Sequence, residues 1–248
     1  MLSIQLLGAP LLLLDGHPLS VPRRKSRALL FYLAARTTPA TRDHLLALLW
    51  PDHDRPAAQQ ILRTSLHGLR KALGSALIVG DDTLSLAPDT DLDIRRFEDG
   101  LATPADLETL ATALALYRDD FLADFSVPDA EAFEAWADTE RERYRQLATR
   151  GLATLAQGYQ ARQEYPAARA ALARALAFNP LQEDLQRAAL RLDYLSGDRA
   201  SAIRRYDALR RLLDDEFGVP PMDETRALYD AIITDSLPMT DDQRPTTD

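Results

Sequence analysis

The chain of 248 residues has no cysteine, only ten glycines and no apolar run that approaches a membrane span. Without cysteine there are no disulfides, no thiolate nucleophile and no thiolate-bound zinc. Glycines this sparse and scattered form no loop of the kind that cradles phosphates in nucleotide-binding motifs. Leu11–Leu14 stops at Asp15-Gly16, far short of the roughly 20 residues a bilayer requires. Met1 is followed by no basic segment leading into a long apolar one, so no secretory leader and a cytoplasmic location are expected. Acidic clusters such as Asp119-Asp120 and Asp214-Asp215-Glu216 have no partner groups at a spacing suited to acid–base work, and read as helix-end and loop surface. Asp52, His53 and Asp54 are consecutive and cannot easily converge on one ion, while His17 and His44 stand isolated. These absences exclude the usual enzyme classes; no metal or other cofactor is expected.

Charge is unevenly spread. Residues 1–97 hold twelve Lys+Arg against nine Asp+Glu, leaving seventeen and twenty-nine of the chain's 29 basic and 38 acidic residues for the remainder. A slightly basic first part can meet a polyanion that the acidic second part would repel. The net charge of −9 therefore does not exclude nucleic acid.

In the basic part, Leu2–Leu7, Leu11–Leu14 and His17–Val21 are short runs separated by turn signals, and predict a small antiparallel sheet. Pro22 opens a helix that begins Arg23-Arg24-Lys25 and continues with Ala28, Leu29, Tyr32 and Leu33. Cations at a helix N-terminus oppose its dipole; phosphate contact is one account of them and simple solvation is another. Thr41 is the expected N-cap of a helix over Arg42–Trp50, stopped by Pro51.

The segment Pro56–Gly74 then places Ala58, Leu62, Leu66, Leu69 and Leu73 on one helical face. Gln60, Arg63, Thr64, His67 and Lys71 fall opposite, with Arg70 on the flank and no carboxylate on that face. Such groups pair phosphates and read base edges in a major groove. Taken alone the pattern also fits the solvated face of an ordinary helix. Its setting favours DNA: helix, short turn, cationic helix, then Ala76–Val79 and Thr83–Leu86 as a hairpin, which is the order of a winged helix-turn-helix. The expected DNA-binding residues are Gln59, Gln60, Arg63, Thr64, His67, Arg70 and Lys71, joined by Arg23, Arg24 and Lys25. Arg63, Thr64 and His67 are assigned to base edges, and Arg70 and Lys71 mainly to phosphates.

From Asp106 onward the pattern is almost entirely helical. Glu164, Ala168, Leu172 and Ala175 match Asp198, Ala202, Tyr206 and Leu209 at a 34-residue offset, the period of tetratricopeptide helix pairs. Tyr117, Phe121, Phe125, Phe133 and Trp136 suit helical core packing better than a ligand groove. The fold class is thus mainly α: a winged helix-turn-helix (α+β) over 1–97 and an all-α tetratricopeptide-like domain over 98–237. Residues 238–248 are polar and expected to be disordered.

These features occur in an order that resembles one family. Leu7-Gly8, Arg24-Lys25 through Leu33, Leu49-Trp50-Pro51-Asp52, Leu69-Arg70-Lys71-Ala72-Leu73-Gly74 and Asp93-Ile94-Arg95-Arg96-Phe97 carry it in the first part. Leu116-Tyr117-Arg118, Trp136, Asn179-Pro180-Leu181-Gln182-Glu183, Gly197-Asp198-Arg199-Ala200 and Glu216-Phe217-Gly218-Val219-Pro220-Pro221 carry it in the second. Together they resemble the antibiotic-regulatory type of bacterial transcriptional activator, with an OmpR-like winged helix joined to a bacterial transcriptional activator domain. The resemblance implies an activator that binds promoter repeats in double-stranded DNA, contacts RNA polymerase holoenzyme and pairs with a second copy of itself. A scaffold whose winged helix no longer binds DNA, and an effector-gated regulator, are the alternatives. Two positions depart from the family pattern. Gly68 replaces a larger polar or basic residue, at about 1 kcal/mol of helix propensity. The hairpin tip Gly80-Asp81-Asp82 carries two carboxylates that phosphates repel, so this tip is expected to stay out of the minor groove.

Overall fold

The computed structural model describes residues 1–237; the tail expected to be disordered lies outside them. The described chain is mainly helical with two small sheets, and it packs as two compact units. The first comprises Met1–Pro104 and Thr112–Arg145, the second Ala105–Ala111 and the chain from Gln146 onward.

In the first unit, β1 (Leu2–Gln5) pairs antiparallel with β2 (Leu11–Leu14), which pairs antiparallel with β3 (His17–Pro18). The turn between β2 and β3 places Asp15 at φ 51° and Gly16 at φ 79°, the left-handed pair that a tight hairpin needs. The sheet is not wholly antiparallel: β7 (Asp91–Leu92) joins β1 in parallel, giving the order β3-β2-β1-β7. Three helices follow β3, namely α1 (Arg24–Ala34), α2 (Arg42–Leu49) and α3 (Arg55–Leu73). Then β5 (Leu77–Val79) and β6 (Thr83–Leu86) form the expected hairpin, which β4 (Ala40–Thr41) extends to three strands by pairing with β6.

Asp93, the first residue of α4 (Asp93–Ala102), ties these parts together. It is buried, and its carboxylate accepts hydrogen bonds from the Leu6 amide at 2.8 and 2.9 Å and the Leu7 amide at 3.1 Å, with Arg118 3.3 Å away. Burial raises its pKa above the ordinary carboxylate value, against the opposing pull of those amides and of Arg118.

The compact units cut the chain differently from a boundary after Phe97, because residues beyond it complete this first core. Phe121 is fully buried and bridges Leu7 and Gly8. Phe125 meets Phe31 edge-on at 5.0 Å, and Trp136 meets Tyr32 at 4.8 Å. The aromatic set thus packs a core rather than lining a groove, but Tyr117, Phe121 and Phe125 lie between helices and not on one. Trp136 lies in the first part of α6 (Glu131–Ala161).

In the second unit, Leu107, the first residue of α5 (Leu107–Ala115), lies against α6 at Gly158, where a Cβ would come within 2.3 Å of Leu107 Cδ2. Then come α7 (Tyr165–Phe178), α8 (Glu183–Leu195), α9 (Arg199–Phe217) and α10 (Asp223–Ile233). The 34-residue offset recurs in the structure, since α7 and α9 begin at Tyr165 and Arg199. Its matched positions Ala168 and Ala202, Leu172 and Tyr206, and Ala175 and Leu209 are all buried. Asp198 caps α9 by accepting from the Ser201 amide at 3.0 Å, whereas its counterpart Glu164 makes no side-chain cap. Buried Glu183 accepts from the Met222 amide and from Thr225 Oγ1 at 2.6 Å, which anchors the start of α10 on α8.

Candidate nucleic-acid interface

The nineteen residues of α3 include no Asp or Glu. The helix starts where Asp54 accepts from the Ala57 amide at 2.9 Å, with proline in its first turn. The helix stops at Gly74, whose φ of 57° lies in the left-handed region. Ala58, Leu62, Ser65, Leu66, Leu69 and Leu73 are buried, so burial against the fold fixes how the helix is rotated.

Gln60, Arg63, Thr64, His67, Arg70 and Lys71 are consequently exposed, and Gln59 is half-buried at the edge. At about 100° per residue, Gln60, Arg63, Thr64, His67 and Lys71 span an arc of roughly 100°, with Arg70 just beyond it. Among the described residues, Arg63, Arg70 and Lys71 have no ion-pair partner. Thr64 Oγ1 donates to the Gln60 carbonyl at 3.0 Å, which leaves its oxygen free to accept. Arg70 and Lys71 occupy the last turn, where cations also suit the helix dipole.

Beside this face runs a groove of about 350 Å³ between α3 and the chain entering α1. Arg23, Thr64, His67 and Gly68 are among its lining residues, so one of the three leading cations stands with the α3 side chains. Gly68 keeps the groove open: nothing lies within 4 Å of where its Cβ would be. Arg24 is exposed and lies outside the groove lining. Lys25 is different. Its ammonium pairs with Asp129 at 2.7 Å, and its side chain is only 18% exposed. That hydrogen bond in turn holds the Asp129 carboxyl below its usual pKa.

Three groups near the site had no signal in local sequence. Arg42 donates from Nε to the Asp81 carbonyl at 3.0 Å and from Nη2 to the Gly80 carbonyl at 3.3 Å, which sets a guanidinium beside the acidic hairpin tip. Arg55 pairs with Asp43 at 2.8 Å, joining α2 to the start of α3. His44 is not isolated, since its Nε2 lies 2.6 Å from the Tyr32 hydroxyl.

Residues 92–233 match the bacterial transcriptional activator domain. The chain belongs to this family, whose members are transcription regulators rather than enzymes. It is 31% identical over 233 residues to the regulatory protein AfsR of Streptomyces coelicolor, a match that covers 88% of this chain and 23% of AfsR. The solved structure of Mycobacterium tuberculosis EmbR in complex with a low affinity phosphopeptide superimposes with a TM-score of 0.76 at 26% identity. That likeness covers 96% of this chain and 66% of the EmbR chain. The chain thus spans about a quarter of the one relative and just under two thirds of the other. Among the described residues, no helix is long and apolar enough to cross a membrane.

Proposed function

We propose that this protein regulates transcription from the cytoplasm by binding double-stranded DNA through the outward face of α3, laid in the major groove. On this reading α1 to α3 and the β5–β6 hairpin form a winged helix, and α7 to α10 form tetratricopeptide-like pairs. The carrying observation is that α3 buries one face while its other face presents cations without ion-pair partners among the described residues, together with hydrogen-bonding groups. Cations that the fold does not neutralise are available to phosphates. Arg63, Thr64 and His67 take base edges; Arg70, Lys71, Arg23 and Arg24 take phosphates. Lys25, held by Asp129, serves the fold first. Activation follows from contact with RNA polymerase while two copies occupy adjacent repeats.

The test is fluorescence anisotropy with duplex DNA across a salt series. Arg63→Ala and Lys71→Ala each weaken binding, and the slope of log K against log salt falls by about one for each phosphate that is no longer neutralised. Unchanged affinity in both variants ends the assignment. The scaffold alternative draws on the acidic hairpin tip and on Gly68; it requires that the native chain bind no duplex even at low salt.

A further inference from the structure

The second unit contains a pocket of about 500 Å³ among α7, α8 and α9, within the size range of small-ligand sites. Its polar lining comes from Arg169 on α7, Gln186 and Asp193 on α8, and Ser201, Arg204 and Arg205 on α9. Buried Asp193 lies between two guanidinium groups, 3.2 Å from Arg169 Nε and 3.0 Å from Arg205 Nε. Only the second pair has hydrogen-bond alignment; among the described residues, Arg169 Nε is a buried donor without an aligned acceptor. Among the described residues, Arg204 reaches no carboxylate directly. It donates to Ser201 Oγ at 2.7 Å, and that hydroxyl donates onward to Asp198 at 2.6 Å. Three guanidinium groups against the carboxylates of Asp193 and Asp198 leave the cluster with one unmatched positive charge.

Gln186 supplies an independent observation. It is only 8% exposed, and its Nε2 donates to the Pro180 carbonyl at 2.7 Å, which fixes the orientation of the amide. Its Oε1 is then a buried acceptor with no partner among the described residues. Buried acceptors are rarely left so, and this one lies in the wall of a cationic pocket.

We propose that this pocket binds a small organic phosphate that also carries a hydroxyl or amino donor. The phosphate answers the surplus guanidinium charge. Its several terminal oxygens suit donors arriving from both α7 and α9 better than the two oxygens of a carboxylate. The ligand's hydroxyl or amino group satisfies Gln186 Oε1. The proposal holds whether or not the α3 face binds DNA.

The experiment is isothermal titration of the full chain at low salt with ribose 5-phosphate, inorganic phosphate and ribose as probes. Ribose 5-phosphate is expected to saturate, inorganic phosphate to bind more weakly, and ribose not to bind. Arg204→Ala, at an exposed position, weakens both phosphate probes by about tenfold, the loss of one charge-assisted hydrogen bond. Gln186→Leu reduces ribose 5-phosphate to the level of inorganic phosphate and leaves the latter unchanged. No saturation by either phosphate probe, or equal binding by the native chain and Arg204→Ala, overturns the proposal.

Discussion

Two arginine-bearing helical faces of the first unit invite opposite readings. On α3, Arg63, Arg70 and Lys71 stand in solvent without carboxylate partners among the described residues. On α6, Arg141 pairs with Asp138 at 2.5 Å, Arg143 with Glu98 and Glu140, and Arg145 with Asp120 and Glu142. Arg141 also donates to the carbonyls of Phe121 and Phe125, both at 3.1 Å, clamping the turn that precedes its helix. Positive charge by itself therefore says little. Whether the fold has already answered a cation decides whether it is left for a partner.

The largest effect is expected where a charge is most deeply committed to the fold. Asp93→Ala leaves the buried Leu6 and Leu7 amides without acceptors, and should cost about 3 kcal/mol in urea unfolding. Asp93→Asn adds a sign test. Because the folded pKa of Asp93 is raised, its contribution is full below the unfolded value and declines as pH rises through the folded one. That decline should disappear in Asp93→Asn, and identical pH profiles for variant and native chain would contradict it.

The two arginine faces should themselves separate in a binding assay. Arg63→Ala should lose about 1–3 kcal/mol of DNA binding, while Arg143→Ala changes affinity by less than about twofold and stability by under about 1 kcal/mol. Equal effects on DNA binding from the two variants would dissolve the distinction between committed and available cations.

A smaller effect is expected at Asp120. Burial raises its pKa, but hydrogen bonds from Arg145 and Tyr117 outweigh this and bring it below the ordinary value. Its contribution is therefore present above the unfolded pKa and lost as pH falls through the folded one. Asp120→Asn should cost about 1 kcal/mol near neutrality, and the gap should close in acid. A gap that persists at low pH assigns the loss to packing instead.

Smallest is the change expected from Gly68→Ala. With open space at the Cβ position, the helix should gain about 0.5–1 kcal/mol in thermal or urea unfolding. A loss of stability would show that α3 depends on a close approach at this point.

Much of this was legible in the residues. Periodicity located the inward stripe of α3, and Thr41 marked the start of α2, where it accepts from the His44 amide at 3.3 Å. The 34-residue offset picked out positions that are each buried. Less legible were β4 and β7, two residues each, which exist because β6 and β1 offer them hydrogen-bonding edges. The pairs Lys25 with Asp129 and Arg42 with the hairpin tip join residues far apart in sequence, so no local pattern announces them.

Sequence alone determined which helix carries a cationic face and which of its sides must be buried, because helical period and apolar spacing are local properties of the chain. Tertiary structure decided which cations are already neutralised, since that depends on carboxylates and carbonyls brought close only by folding. The same reason explains the pocket among α7, α8 and α9: its arginines were visible as charges, but their surplus over acceptors, and the unpartnered Gln186 oxygen, exist only once three helices have packed.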